Sequence, residues 1–573
     1  MRAGRLRASA LEEQAMVLEA ASEGVRLDLK FVDYLMLIIY FVTVLAIGVI
    51  ARRSIRTSMD FFLSGRSMPA WITGLAFVSA NLGAIEILGM AANGAEIGMA
   101  TMHYYFIGAV PAMVFLGLVM MPFYYGSKVR SVPEFMLRRF GKAAHLVNSI
   151  AFSVSNVLIA GINLYAMAIV VEAMLGWSQW TAIIVSAVFV LVYITLGGLS
   201  SAIYNEVMQF FVIVAGLVPL TVVGLHRVGG WNGLKTALME TDGVSRLHLS
   251  AWQGTSIGDV TNPIGANWLA IVLGLGFVLS FGYWTTNFTE VQRAFSAKNM
   301  SAARRTPLIG AFPKLLIPFV IVIPGMIAAA TIGNQFADGT LTYNDAIPKL
   351  IQMYLPSGVL GVAVTGLMAS FMAGMAANVS SFNTVFTYDI WQEYIKPNMP
   401  DDYYLKAGRV VSITGVVIGI FTAYLASQFG NIMTYIQTLF SFFNAPLFGV
   451  FILGLLWKRM TPAAGLWGYI AGIIAPTIVW IAYLKNPSLF ATGTAETLYG
   501  AIISFVTVMV VSVAVSLFTK PKSDEELQGL VYGVGTIDVK SDHVAGDTAW
   551  YRSPALLGTV ALALCVGFYL PIV

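Results

Sequence analysis

Residues 79–94 read Ser79-Ala80-Asn81-Leu82-Gly83-Ala84-Ile85-Glu86-Ile87-Leu88-Gly89-Met90-Ala91-Ala92-Asn93-Gly94. They sit in the middle of an apolar run, 70–97, and crossing a bilayer core of about 30 Å takes about 20 such residues. Glycines, asparagines and a glutamate at that depth destabilise a lipid-facing helix. Irregular backbone survives in a membrane only where it is buried in protein or lines a cavity. The stretch predicts an interrupted helix at an internal site. Close packing through small residues is the competing reading of the glycines, and Glu86 favours a site.

The rest of the chain supports a membrane setting. Of 573 residues, 58% are hydrophobic and 11% charged, against about 25% charged in soluble proteins. The mean hydropathy is +0.77. The single cysteine, Cys565, excludes an internal disulfide and a multi-cysteine metal site. Spanning runs are expected at 33–51, 70–97, 100–125, 144–174, 179–198, 202–226 and 263–290, then at 306–335, 357–391, 405–428, 431–457, 461–485, 494–519 and 553–572. That is an all-α membrane protein of fourteen helices. Residues 1–32 carry both signs of charge and read as a polar tail, not a secretory signal.

Lysine and arginine collect in cytoplasmic loops. With the N-terminus outside, alternate loops hold Arg52, Arg53, Arg56 and Arg66, then Lys128 to Lys142, Arg293 to Arg305, Lys396 to Arg409, Lys458 with Arg459, and Lys520 to Arg552. The opposite loops hold Arg227, Lys235, Arg246, Lys349 and Lys485. Both termini are therefore expected outside a plasma membrane, with a cytoplasmic loop at 520–552. The basic residues follow topology, which leaves no nucleic-acid partner to infer from a net charge of +4. Lys314 falls inside the eighth span and must face a polar cavity or a partner.

The seventh run repeats the pattern of the second. It carries Gly274 and Gly276, then Ser280-Phe281-Gly282-Tyr283-Trp284-Thr285-Thr286-Asn287. Two interrupted spans in corresponding halves point to an inverted-repeat transporter with its site at the midplane. The expected organisation is a first helix at 33–51, repeats at 70–226 and 263–457, and three C-terminal helices within 461–573. No residue-level repeat links the halves, so the symmetry rests on topology.

Seven segments carry a family resemblance: Asp60 to Met68, Ser131-Val132-Pro133-Glu134-Phe135 through Arg139-Phe140, Gly197-Gly198-Leu199-Ser200, Gln292-Arg293 with Ala297-Lys298, Phe312-Pro313-Lys314-Leu315, Phe386-Thr387-Tyr388-Asp389-Ile390, and Leu453 through Trp457-Lys458. In order and spacing the chain resembles the sodium/solute symporter family, nearest in pattern to its sugar-type members. The resemblance implies fourteen spans, a five-plus-five inverted repeat with two discontinuous helices, and alternating access.

It also implies a site. Lys314, Gln437, Tyr283 and Trp284 match sugar-contacting positions in type. Glu86 stands for a glutamine, Tyr105 for a carboxylate, Ser280 for an asparagine and Gly108 for a serine. Met90, Tyr104 and Met433 match an outer apolar lid, and plain packing is the alternative for all three. Glu86 and Lys314 neutralise each other if they meet; otherwise Glu86 becomes protonatable near neutrality. The other acids near membrane depth, Glu96, Glu172, Glu206, Glu290 and Asp389, lie near span ends, where snorkelling to the interface is expected. Glu206 aligns with an aspartate on the ion exit path of the relatives.

The family's sodium site would use the carbonyls of Ser79 and Leu82 with hydroxyls of the ninth span. Ser370 keeps one position, but Ala373 and Gly374 stand where paired hydroxyls belong, so the site is degenerate. Sodium, a proton carried by Glu86, or no coupling ion at all are the alternatives. No cofactor is implied. The expected partners are a small polar solute, its coupling ion and the bilayer. An enzyme finds little support, since His103, His145, His226, His248 and His543 are scattered. A solute sensor on the same fold is the remaining different class.

Overall fold

The computed structural model describes residues 25–52, 57–241, 246–429, 431–535 and 549–572. The polar tail before residue 25 and loop residues 536–548 lie outside them. The chain is a helical bundle, and among the described residues the only sheet is a hairpin pairing Thr255–Ser256 with Asp259–Val260.

The helices that matter are α1 (Phe31–Arg52), α2 (Ala70–Asn81), α3 (Ile85–Met102), α4 (Tyr104–Gly126), α5 (Val132–Phe140), α6 (Lys142–Leu175), α7 (Gln179–Arg227) and α8 (Trp268–Thr286). They continue with α9 (Phe288–Phe295), α10 (Met300–Ala337), α11 (Val359–Ile395), α12 (Asp401–Ala426), α13 (Ile432–Leu456), α14 (Pro462–Lys485), α15 (Gly493–Phe518) and α16 (Pro554–Tyr569). Among the described residues eleven helices are long and apolar enough to cross a membrane, and α2 with α3 makes a twelfth span bent by 57°. Two shorter apolar stretches among the described residues, 179–192 within α7 and Pro554–Tyr569, fall in the expected fifth and fourteenth runs. In α7 the backbone kinks at Gly198, where φ is 54° and an added Cβ would meet Phe61 at 2.7 Å.

The break between α2 and α3 is where the sequence places it. Leu82 leaves the helical region with ψ 43°, which strands a carbonyl and an amide, and each buried orphan costs about 1–3 kcal/mol. Ser370 on α11 donates to the Leu82 carbonyl at 2.5 Å, and the Ala84 amide donates to Asn163 Oδ1 on α6 at 3.1 Å. Gly83 and Gly374 then lie back to back, since a Cβ on Gly83 would sit 3.1 Å from the Gly374 Cα.

The seventh span differs from expectation. Helix α8 runs unbroken through Gly274 and Gly276, wound as a π-helix over Ile271–Ser280. Its glycines serve packing: a Cβ on Gly274 would lie 2.7 Å from the Leu498 carbonyl oxygen. The interruption comes at Asn287, with ψ 111°, before α9.

The loop ahead of α5 is knitted by charge. Ser131 accepts from the Glu134 amide at 3.0 Å, and Glu134 pairs with Arg130 at 3.2 Å and Arg138 at 2.8 Å. Burial draws the Glu134 carboxyl upward, but the two guanidiniums hold it below the ordinary range.

Candidate functional site

The interruption of α2 and α3 opens on a cavity. Glu86, Tyr105, Ser280, Tyr283, Trp284, Lys314 and Gln437 all line it, and so do Met90, Tyr104 and Met433. The chain brings these together from α3, α4, α8, α10 and α13, elements far apart in sequence. Asn81, Ile85, Leu279 and Phe440 complete much of the wall. The sequence reading passed over these four; Asn81, a polar side chain beside the predicted break, carried the signal that could have found it.

Lys314 and Glu86 do meet. Their charged ends are 2.8 Å apart, with side chains 2% and 4% exposed. Lys314 also donates to Asn81 Oδ1, and its ammonium lies 5.2 Å from the ring centres of both Tyr105 and Trp284. Two aromatic faces and a carboxylate compensate the loss of water that burial imposes on the ammonium. Asn81 Nδ2 donates to the Tyr283 hydroxyl at 2.9 Å, and that hydroxyl donates in turn to Glu290. A polar chain thus runs Glu86, Lys314, Asn81, Tyr283, Glu290. The Tyr283 ring packs against Phe440 with centroids 4.7 Å apart.

Three buried acceptors or hydroxyls on the cavity wall remain without a hydrogen bond: Glu86 Oε1, Gln437 Oε1 and the Tyr105 hydroxyl, which faces Glu86 without closing a bond of good geometry. Ser280 contributes less than its hydroxyl suggests, because Oγ donates to the Leu275 carbonyl at 2.7 Å. It also explains Gly108, where an added Cβ would stand 2.3 Å from Ser280 Oγ.

Of the residues named for the ion, two are in direct contact. Ser370 and Leu82 are bonded to each other, and the Ser79 hydroxyl is buried without a partner. Ala373 and Gly374 are fully within the bundle but offer no side-chain oxygen. A Cβ at Gly374 would stand 2.6 Å from Asn163 Oδ1, so the amide fills the space that a hydroxyl side chain would need.

Several acids are not where snorkelling would put them. Glu172 is exposed, but Glu206, Glu290 and Asp389 are buried. Glu206 pairs with Arg293, both fully enclosed, and Asp389 lies 3.0 Å from His145 Nε2. Glu206 and Asp389 thus found partners inside the bundle that distance along the chain concealed. Glu96 is half-buried and accepts from Asn431 at 2.5 Å. Among the described residues no three His, Cys, Asp or Glu side chains are grouped to hold a metal ion.

Comparison with known proteins places the chain in a family. The model of the sodium:solute symporter family matches residues 61–472. The sodium/glucose cotransporter of Vibrio parahaemolyticus is 28% identical over 522 residues, 88% of this chain and 93% of its own. Sodium/glucose cotransporter 1 of Ovis aries is 29% identical over 545 residues, 88% of this chain and 81% of its own. A Na+-coupled sialic acid symporter, solved substrate-bound and outward-open, shares the fold with a TM-score of 0.71 at 19% identity, over 87% of this chain and 100% of that one. These relatives are sodium-coupled transporters, not enzymes. With the family model spanning most of its length, this multi-pass membrane chain belongs to the sodium:solute symporter family.

Proposed function

We propose that the protein imports a small polyhydroxylated solute, a monosaccharide such as glucose or galactose, by sodium symport with alternating access. The observation that carries this reading is the cavity wall itself. Glu86 Oε1, Gln437 Oε1 and the Tyr105 hydroxyl are buried without partners, beside the faces of Tyr283 and Trp284. A sugar supplies donors for the first three and an apolar ring face for the other two. The sodium/glucose cotransporters among the relatives support the same class.

The finer architecture belongs to this proposal. Fourteen spans, with residues 70–226 and 263–457 as inverted repeats, both termini outside and 520–552 cytoplasmic, fit the positions of the twelve long apolar spans and the two shorter apolar stretches. Met90, Tyr104 and Met433 form the outer gate. Glu206 serves the ion path through its hold on Arg293. Proton coupling is the second reading, favoured by Ala373 and Gly374 at the expected hydroxyl positions.

Uptake of labelled glucose and galactose into proteoliposomes tests the solute. Gln437→Ala is expected to raise KM about tenfold, as the loss of one hydrogen bond of about 1–1.5 kcal/mol requires, with the maximal rate nearly unchanged. An unchanged KM for every sugar transported removes Gln437 from the site.

A further inference from the structure

A second cavity adjoins the first on the side of α9. It shares Asn81, Ile85, Tyr283 and Phe440 with the first, and these four form the partition. Beyond them its wall is built from Asn163, Asn287, Thr289, Glu290 and Asn378, with Gly83 and Gly374 as its floor. No position expected of the ion site, other than Gly374, lines it.

Charge bookkeeping singles out Glu290. It is 2% exposed; one carboxylate oxygen accepts from Tyr283, and the other, Oε2, is buried with no partner. Two cations lie near enough to act on it, Arg293 and Lys314. Each is already matched. Arg293 is held by both oxygens of Glu206 and also donates to the Thr289 carbonyl at 3.0 Å. Lys314 is held by Glu86 and Asn81. Glu290 has no cation of its own, and in its ionised form it would be an uncompensated interior charge, which is strongly destabilising.

The surroundings say what would compensate it. Asn163 and Asn287 carry amide oxygens that each accept a single backbone hydrogen bond, leaving acceptor capacity. Asn378 gives its amide nitrogen to the Gly374 carbonyl at 2.8 Å. The Thr289 hydroxyl stands between Asn156 at 2.9 Å and Ser381 at 2.8 Å. A carboxylate ringed by amide and hydroxyl oxygens is the donor set of a hard cation, which takes oxygen ligands and little else.

We propose that Glu290 anchors the coupling sodium ion in this second cavity, displaced toward α9 from the position where Ala373 and Gly374 leave no hydroxyls. This rests on the sodium-symport reading above. It also gives coupling a route. Sodium on Glu290 acts on the bond from Tyr283, and Tyr283 forms the partition and holds Asn81, which binds Lys314 in the solute cavity.

The test uses the purified full-length protein in detergent, without sugar. Thermal unfolding is followed in sodium chloride and in potassium chloride at equal ionic strength. The wild type is expected to unfold at a higher temperature in sodium. Glu290→Gln should lose that difference, and in potassium it should be at least as stable as the wild type, since a buried charge has gone. In proteoliposomes it should raise the half-saturating sodium concentration for uptake at least tenfold, with Glu290→Asp between the two. Asn378→Leu, which leaves the carboxylate in place, should weaken the sodium response several-fold. A sodium response kept in full by Glu290→Gln overturns this site while sodium coupling stands. A Glu290→Gln protein destabilised equally in both salts, with Asn378→Leu unaffected, overturns it as a merely structural carboxylate. A wild type indifferent to sodium, with uptake following a proton gradient, overturns both readings.

Discussion

Lys314→Met is expected to destabilise the protein by about 3–5 kcal/mol, because removing one partner of a buried ion pair leaves the other charge uncompensated. Lys314 and Glu86 are both nearly inaccessible and 2.8 Å apart, and the ammonium also holds Asn81 and two aromatic faces. Thermal unfolding in detergent should fall by several degrees, and solute uptake by roughly two orders of magnitude, since one residue orders both the solute cavity and its link to Tyr283. Glu86→Gln combined with Lys314→Met should recover most of the stability, because replacing a whole buried pair is often neutral. It should not recover transport. A double variant that regains uptake would reduce the pair to a structural role.

Arg293→Met is the second large effect. Arg293 and Glu206 are fully buried and joined through two donors, and the same guanidinium ties down the Thr289 carbonyl and Gln292 Oε1. The variant leaves Glu206 without its partner and removes one of the two cations that act on Glu290, so a cost of about 3–5 kcal/mol is again expected. Raising sodium should restore stability to this variant more than to the wild type, as a free cation takes over part of the lost charge. Glu206→Gln with Arg293→Met should unfold several degrees above Arg293→Met alone. Equal stability of the single and double variants would show that Glu206 does not depend on Arg293.

Residue type at depth carried much of the site in the sequence. A glutamate and a lysine inside apolar runs had to find each other or a cavity, and Glu86 and Lys314 do both. The stretch around Gly83 announced its break because asparagine, glycine and glutamate fall within six residues. Glycine by itself was ambiguous: Gly274 and Gly276 sit in an unbroken α8 where the neighbouring helices need the room, and the real interruption is at Asn287. Glu290 was hidden by its position at the end of an apolar run. Only the fold puts it under Tyr283, seven residues earlier, and away from lipid. Asn163 was overlooked although Asn148, Asn156 and Asn163 recur at helical spacing and line one buried face of α6. That stripe was a readable sign of a polar interior. The fourteenth run falls short of a full crossing because its helix, Pro554–Tyr569, has 16 residues.

Sodium-driven sugar import is tested most directly by proteoliposomes loaded and bathed so that a sodium gradient and a proton gradient are imposed one at a time, with labelled glucose or galactose outside. Accumulation under the inward sodium gradient, abolished when potassium replaces sodium and unaffected by the proton gradient alone, is the predicted result. Accumulation driven by the proton gradient in sodium-free medium, or equilibration of the sugar regardless of either gradient, would contradict it.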